Sequence, residues 1–264
     1  MASRKEQKER ARQERLAREA ALTEAARRKR RLTLAGGAAT AIVVAAVVVV
    51  VAIVSGGSST AQRLSKQGSA PQLKLSSLSS LGSLQPPPPA SLGPEGIPLP
   101  NAPALAGTGS IASGETVDGI QCQGSEQTLF HIHAHLTIFV DGAARQVPYG
   151  IGIPSPQVQN TAQGAFVAGG SCLYWLHGHA ADGIIHIESP IQRTFTLGEF
   201  FDLWGQPLGP SQVGPAHGPV TAIYNGKLYD GNPRDIPLNA HAQIQLDVGR
   251  PLVGPVTITF ANGL

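Results

Sequence analysis

From Phe130 to Val140 apolar and polar positions alternate with a period of two, and Asp141-Gly142 follows at once. That pattern predicts a half-buried strand running into a two-residue hairpin turn. The same signature recurs at Val220–Tyr224 and Lys227–Tyr229, which flank Asn225-Gly226, and again over Ala240–Val248 and Val256–Phe260. One segment breaks the alternation. Thr196 and Glu199 have capping-box spacing ahead of Phe200, Phe201, Leu203 and Trp204, and Gly205 follows, so a single short helix is expected there. The fold class predicted over residues 114–264 is mainly β, a sandwich or open barrel with one short helix. About 150 residues suffice for one hydrophobic core.

The N-terminal part reads differently. Leu32–Val54 is 23 residues without a charge. As a helix it would extend ~34 Å, enough to cross a hydrocarbon core of ~30 Å. Arg27, Arg28, Lys29, Arg30 and Arg31 abut its start, while only Arg63 and Lys66 follow closely. The positive-inside rule then makes residues 1–31 a basic cytoplasmic tail, residues 32–54 a transmembrane helix in the lipid bilayer, and the C-terminal domain extracytoplasmic. A cleaved signal peptide fits less well, because its apolar core would be shorter and its leading region rarely so long. Within the tail, Glu14 and Arg18 show the i,i+4 spacing of a charged helix, which serves either as a solvated topogenic tail or as a contact for anionic lipid headgroups. Residues 55–113 are rich in Ser, Gly and Pro, with Pro86–Pro89 in the middle and no periodic apolar face. They are expected to be a disordered linker, semi-rigid at the proline run.

Charge supports that division. Residues 1–31 carry twelve Lys/Arg and five Glu, whereas the rest carries eight Lys/Arg and twelve Asp/Glu. The tail therefore carries +7 and the remainder −4, and that mildly acidic remainder argues against a nucleic-acid partner. Cys122 and Cys172 are the only cysteines, and both fall in the extracytoplasmic part. An even pair in an oxidising compartment predicts a disulfide, with thiolate metal ligands as the rival.

The candidate chemistry lies in the histidines. Seven of eight fall in four short segments: His131, His133 and His135; His177 and His179; His186; and His241. On a strand, His131, His133 and His135 share one face, opposite Ile132, Ala134, Leu136, Ile138 and Val140. The apolar set must face the core, so the histidines stand away from it. Likewise Ile185 and Ile187 oppose His186 and Glu188, and Ala242, Ile244, Leu246 and Val248 oppose His241, Gln243, Gln245 and Asp247. Trp175, His177 and His179 share a parity. Any one such histidine is most simply a solvated polar residue. Two His-x-His pairs with further histidines nearby fit a transition-metal site better, with His131, His133, His135, His177, His179 and His186 as candidate ligands. Asp182, Glu188 and His241 are candidates to ligate or to hold an imidazole N–H. His131 and His135 lie ~13 Å apart along a strand, so all three histidines of that strand should not reach one ion. Two of them are expected to join His177, His179 or His186, leaving a second ion or an orienting role for the rest.

Several strings resemble a known family: "HIHAHLTIFVDG", "IGI", "CLYWLHGHAADGIIHIESP" and "FTLGEFFDLWG". Together they look like secreted or membrane-anchored prokaryotic domains that share HxHxHL, LHxHxxxGIIHIES and FTLGxFFDxWG motifs and have no assigned activity. The resemblance spans roughly residues 129–250. It implies the same histidine-rich site and adds no reaction. One departure is Ala180, which stands where the family more often carries an acidic residue after its HxH pair.

Met1 is the only methionine, which excludes a methionine-ligated copper site, and paired cysteines would exclude a blue-copper centre. A histidine-dominated site suits Cu(II) or Zn(II). Three functions are consistent with this. The first is a domain for capture, buffering or delivery of the ion, with a neighbouring membrane protein as the recipient. The second is a metalloenzyme of hydrolase or lyase type, with Glu188 as base, although there is no HExxH and the HxH element lacks a full cupin arrangement. The third is a metal-free envelope interaction module anchored by Tyr174, Trp175 and Trp204, although Trp204 sits on the apolar stripe of the helix.

Overall fold

The computed structural model describes residues 73–107 and 113–264. The expected tail and transmembrane helix lie outside the described residues. Among the described residues no helix is long and apolar enough to cross a membrane.

The fold is mainly β with one short helix. Its centre is an open, eight-stranded sheet, formed by β1 (Leu75–Ser76), β2 (Phe130–Val140), β3 (Ala143–Arg145), β4 (Leu176–His177), β5 (Ile184–Ser189), β6 (Val220–Tyr224), β7 (Lys227–Tyr229) and β8 (Gln243–Val248). The order across the sheet is β1-β7-β6-β8-β2-β5-β4, and β3 folds back on β2. Pairing is antiparallel except between β8 and β2, which run parallel. The sheet does not close into a barrel. Smaller ribbons include a pair at Val158–Thr161 and Gly164–Val167 and a three-stranded one over residues 208–217.

The turn chemistry works as the sequence implies. Asp141 and Gly142 have φ of 50° and 75°, and Asn225 and Gly226 have 48° and 74°. Positive φ at both central residues is the type I′ geometry whose twist matches the flanking strands. The helix α1 (Leu197–Trp204) has the full capping box, with Glu199 N donating to the Thr196 hydroxyl and Thr196 N donating to Glu199 Oε2, and Gly205 ends it in the left-handed region. Phe200, Phe201, Leu203 and Trp204 of α1 pack on Ala134, Leu136, Ile138, Ile185, Ile187, Ile244 and Leu246, the apolar parity of the central strands. The Cys122–Cys172 disulfide is formed, 50 residues apart in sequence.

Three expectations need correction. Ala240–Val248 is strand only from Gln243, because His241 has φ 57° in the turn before it. Val256–Phe260 is not a strand. It crosses the polar face of the sheet, and side chains rather than a neighbouring strand satisfy its backbone. Val256 N donates to Gln245 Oε1, Ile258 N donates to Gln243 Oε1, and Val253 N donates to Asp247 Oδ1. The segment 73–107, expected as linker, is ordered and packed on the domain. Its anchors are discrete rather than periodic, which is why pattern alone misses them: β1 pairs with β7, Gln85 N donates to Leu252 O, and Ile97 and Leu105 are buried.

These two crossing segments change the environment of the histidine face. The sequence places that face away from the apolar core, and it is. It is also roofed: Ile97, Ile184 and Ile258 form a second small apolar cluster with Val256, Phe260 and Leu264 packed against it.

Gln245 is the main fastener of the roof, since it also donates to Val253 O and Asp247 Oδ2. Gln245→Ala should therefore lower unfolding free energy by about 2–4 kcal/mol, because Val256 N–H and Val253 C=O lose their partners. The urea midpoint should fall and amide exchange at Val256 should quicken. An unchanged midpoint would show that the crossing is held by other contacts.

Candidate metal centre

Register brings the histidines together. β5 pairs with β2 so that His186 lies opposite His133 and Glu188 opposite His131, and β4 pairs with β5 so that His177 lies opposite His186. Three neighbouring strands thus carry their polar parity to one patch. His179 follows β4 in sequence and is drawn in by a two-way contact with Val167: Val167 N donates to His179 O, and His179 Nδ1 approaches Val167 O at 2.5 Å. Gly152 gives the patch room. Its φ is +71°, and a Cβ there would lie 2.2 Å from Leu176 O and 3.0 Å from His177 Cβ. The "IGI" string therefore marks a place where backbone lies against backbone beneath a histidine.

The site is largely buried. His133, His177, His179, His186 and Glu188 are buried, whereas the His131 side chain is 38% exposed and forms the mouth. One set of donors is His131 Nε2, His133 Nε2, His186 Nδ1 and Glu188 Oε1. Consecutive separations are 3.2 Å (131 to 133), 3.1 Å (133 to 186), 3.5 Å (186 to 188) and 3.2 Å (188 to 131). A tetrahedral ion with ligands at ~2.0–2.1 Å has donor–donor edges of about 3.3 Å. Adjoining this set, His177 Nε2 and His179 Nε2 are 3.2 Å apart, with His177 Nε2 4.0 Å from Glu188 Oε2. Among the described residues the groups able to hold a metal ion are His131/His133/His186/Glu188, His177/His179/His186 and Glu126/His177/Glu188.

Tautomers explain why the His177–His179 contact is not an ordinary hydrogen bond. A neutral imidazole carries one N–H. His177 Nδ1 lies 2.7 Å from Tyr174 O, and a carbonyl can only accept, so Nδ1 holds the proton and Nε2 is a bare lone pair. The same holds for His179 through Val167 O. His186 Nε2 is 2.8 Å from Glu95 Oε1, which leaves Nδ1 facing His133 and Glu188. Burial, and then the charge of His186, hold both His177 and His179 below the usual imidazole range, so they stay neutral near pH 7. Their two Nε2 lone pairs therefore face each other with no proton between them, an arrangement that a cation would stabilise. Glu188 Oε2 is likewise buried without a hydrogen-bond partner. His133 is pulled down to about 3, first by burial and then by His186. Burial also pulls on His186, but Glu188 and Glu95 outweigh it and carry the ring up to about 9.

Not every candidate belongs to this cluster. His135 turns aside: its Nε2 hydrogen-bonds to Asp182 O at 2.9 Å and its Nδ1 faces the Thr137 hydroxyl. The ~13 Å span of the strand forces that separation. His241 is exposed, stacks on Phe260 and reaches Leu264 O, so its left-handed backbone takes it out of the strand parity that would have aligned it. The Asp182 carboxylate belongs to none of these donor groups. It lies beside Glu95, and burial together with that carboxylate pushes it up to about 7. Two acidic residues were not legible as site residues. Glu95 was assigned to the linker, although it is the one charged residue between Lys74 and Glu115. Glu126 Oε1 sits 3.8 Å from His179 Nε2 at the exposed edge.

Compared with family models, curated proteins and solved structures, the chain finds no match.

The histidine environment sets the acid stability of the metal-free protein. His135 has its pKa held at about 4 by burial, against 6.5 in the unfolded chain. The folded state binds this proton later, so stability is full above pH 6.5 and is lost as pH falls toward 4. The loss from His135 alone is about 3 kcal/mol. Denaturant unfolding of the metal-free chain at stepped pH should show it, and His135→Gln should flatten the acid limb. Stability constant from pH 7 to 4 would contradict the burial of a neutral imidazole.

Proposed function

We propose that this chain is a membrane-anchored, extracytoplasmic domain that binds a transition-metal ion, Cu(II) or Zn(II), for capture, buffering or delivery. One observation carries the reading: the buried His177 and His179, with Nδ1 committed to Tyr174 O and Val167 O, turn two unprotonated Nε2 donors toward Glu188, and His186, oriented by Glu95, joins them in the donor groups. Orientation of ligating histidines by a carbonyl or carboxylate on the far nitrogen is the usual support of a metal site. The paired cysteines leave an N/O donor set and fit an oxidising compartment. The uncharged stretch over residues 32–54 supplies the anchor, and a neighbouring membrane protein is the natural recipient of the ion.

Holding an ion fits better than catalysis at the first donor set. Four protein donors fill a tetrahedral ion and leave no position for substrate, and Glu188 as a donor is not free to act as a base. A metal-free interaction module loses its basis, because Tyr174, Trp175 and Trp204 are buried rather than displayed.

The test is elemental analysis of the full chain, produced without an affinity histidine tag and dialysed against a weak chelator. It should retain Cu or Zn. His133→Ala combined with His186→Ala should lower retention at least tenfold, with the disulfide and far-UV spectrum unchanged. Wild-type protein that neither retains nor takes up either metal at pH 7 would overturn the proposal.

A further inference from the structure

The donors around Glu188 outnumber what one ion can use. A four-coordinate ion is filled by His131 Nε2, His133 Nε2, His186 Nδ1 and Glu188 Oε1, whose successive separations lie between 3.1 and 3.5 Å. His177 Nε2 and His179 Nε2 then remain as an aligned pair 3.2 Å apart, both with Nδ1 bound to a backbone carbonyl. Two carboxylate oxygens face that pair: Glu188 Oε2 at 4.0 Å from His177 Nε2 and Glu126 Oε1 at 3.8 Å from His179 Nε2. Glu188 Oε2 is the telling atom. The Glu188 side chain is 3% exposed, its Oε1 serves the first set, and its Oε2 has no hydrogen-bond partner.

We infer that the domain holds a second divalent transition-metal ion at His177, His179 and Glu126, and that Glu188 bridges the two ions, one carboxylate oxygen to each. The inference rests on the metal-binding reading above. Carboxylate bridging accounts for three features together. It gives the orphaned Oε2 a partner, it gives the His177–His179 lone pairs a cation, and it explains a carboxylate set between two histidine groups. His186 does not bridge, since its Nε2 faces Glu95. The two positions are unequal. Glu126 is 47% exposed, so the second ion sits on the side from which one of its ligands can swing away. That is the side for exchange of an ion with a recipient, while the first set retains its own.

The test is titration of the metal-free full chain with Cu(II), followed by electron paramagnetic resonance and by metal analysis after gel filtration. The first equivalent should give an isolated Cu(II) spectrum. The second should lower the integrated signal per ion and produce a half-field transition, the signature of two close Cu(II) ions. His179→Gln, which removes a ligand of the second set and none of the first, should hold one Cu(II) with an uncoupled spectrum. Saturation of wild type at one ion would overturn the second site while leaving the metal-binding reading intact. Two ions without coupling would overturn the Glu188 bridge, as would a His179→Gln variant that still shows the half-field signal. No bound ion at all would overturn both readings.

Discussion

A neutral imidazole has a single proton to place, and this domain depends on where it is placed. Tyr174 O and Val167 O each take the N–H of one buried ring, which leaves the Nε2 of His177 and of His179 as a buried lone pair, while the Glu95 carboxylate orients His186. Burying unpaired polar atoms costs on the order of 1–3 kcal/mol each. A fold that gathers several of them has either lost stability without return or has made a site for a cation. The separations of 3.1–3.5 Å around the first donor set also fit the edges of a tetrahedral ligand set, in keeping with the second account.

The scaffold serves that convergence. Long strand β2 and its partner β5 lay the apolar parity onto α1 and the polar parity onto the opposite side, and the register of β4, β5 and β2 lines up His177, His186 and His133 in one row. The polar side would be wet if the sheet stopped there. Residues 253–264 and the segment around Ile97 cross it and shed water, held through Gln243, Gln245 and Asp247 and by a small apolar cluster. The same crossing brings Glu95 onto His186. The roof and the orientation of His186 are therefore one structural event.

Much of this was legible in the sequence, and the reasons are local. Alternation across Phe130–Val140, the Asp141-Gly142 and Asn225-Gly226 turns, the Thr196/Glu199 cap and the Cys122–Cys172 pair each declare themselves within a few residues or by simple count. Strand parity placed His131, His133 and His186 on one side because side-chain direction on a strand is fixed. What failed were long-range events. Glu95 reaches His186 from 91 residues away through a segment with no periodicity, and no local rule signals that. His241 and Val256–Phe260 kept an alternating pattern, yet one adopts a left-handed turn and the other spends its backbone groups on glutamine side chains. His135 obeyed parity and still left the site, because distance along the strand outweighs facing.

The most direct measurement is X-ray absorption at the metal edge of the protein as purified. The account predicts a shell of nitrogen and oxygen ligands at ~2.0–2.1 Å, with the outer-shell scattering of several imidazoles and no sulfur. Sulfur at ~2.3 Å, or an oxygen-only shell without imidazole scattering, would contradict it and place any bound ion away from His131, His133 and His186.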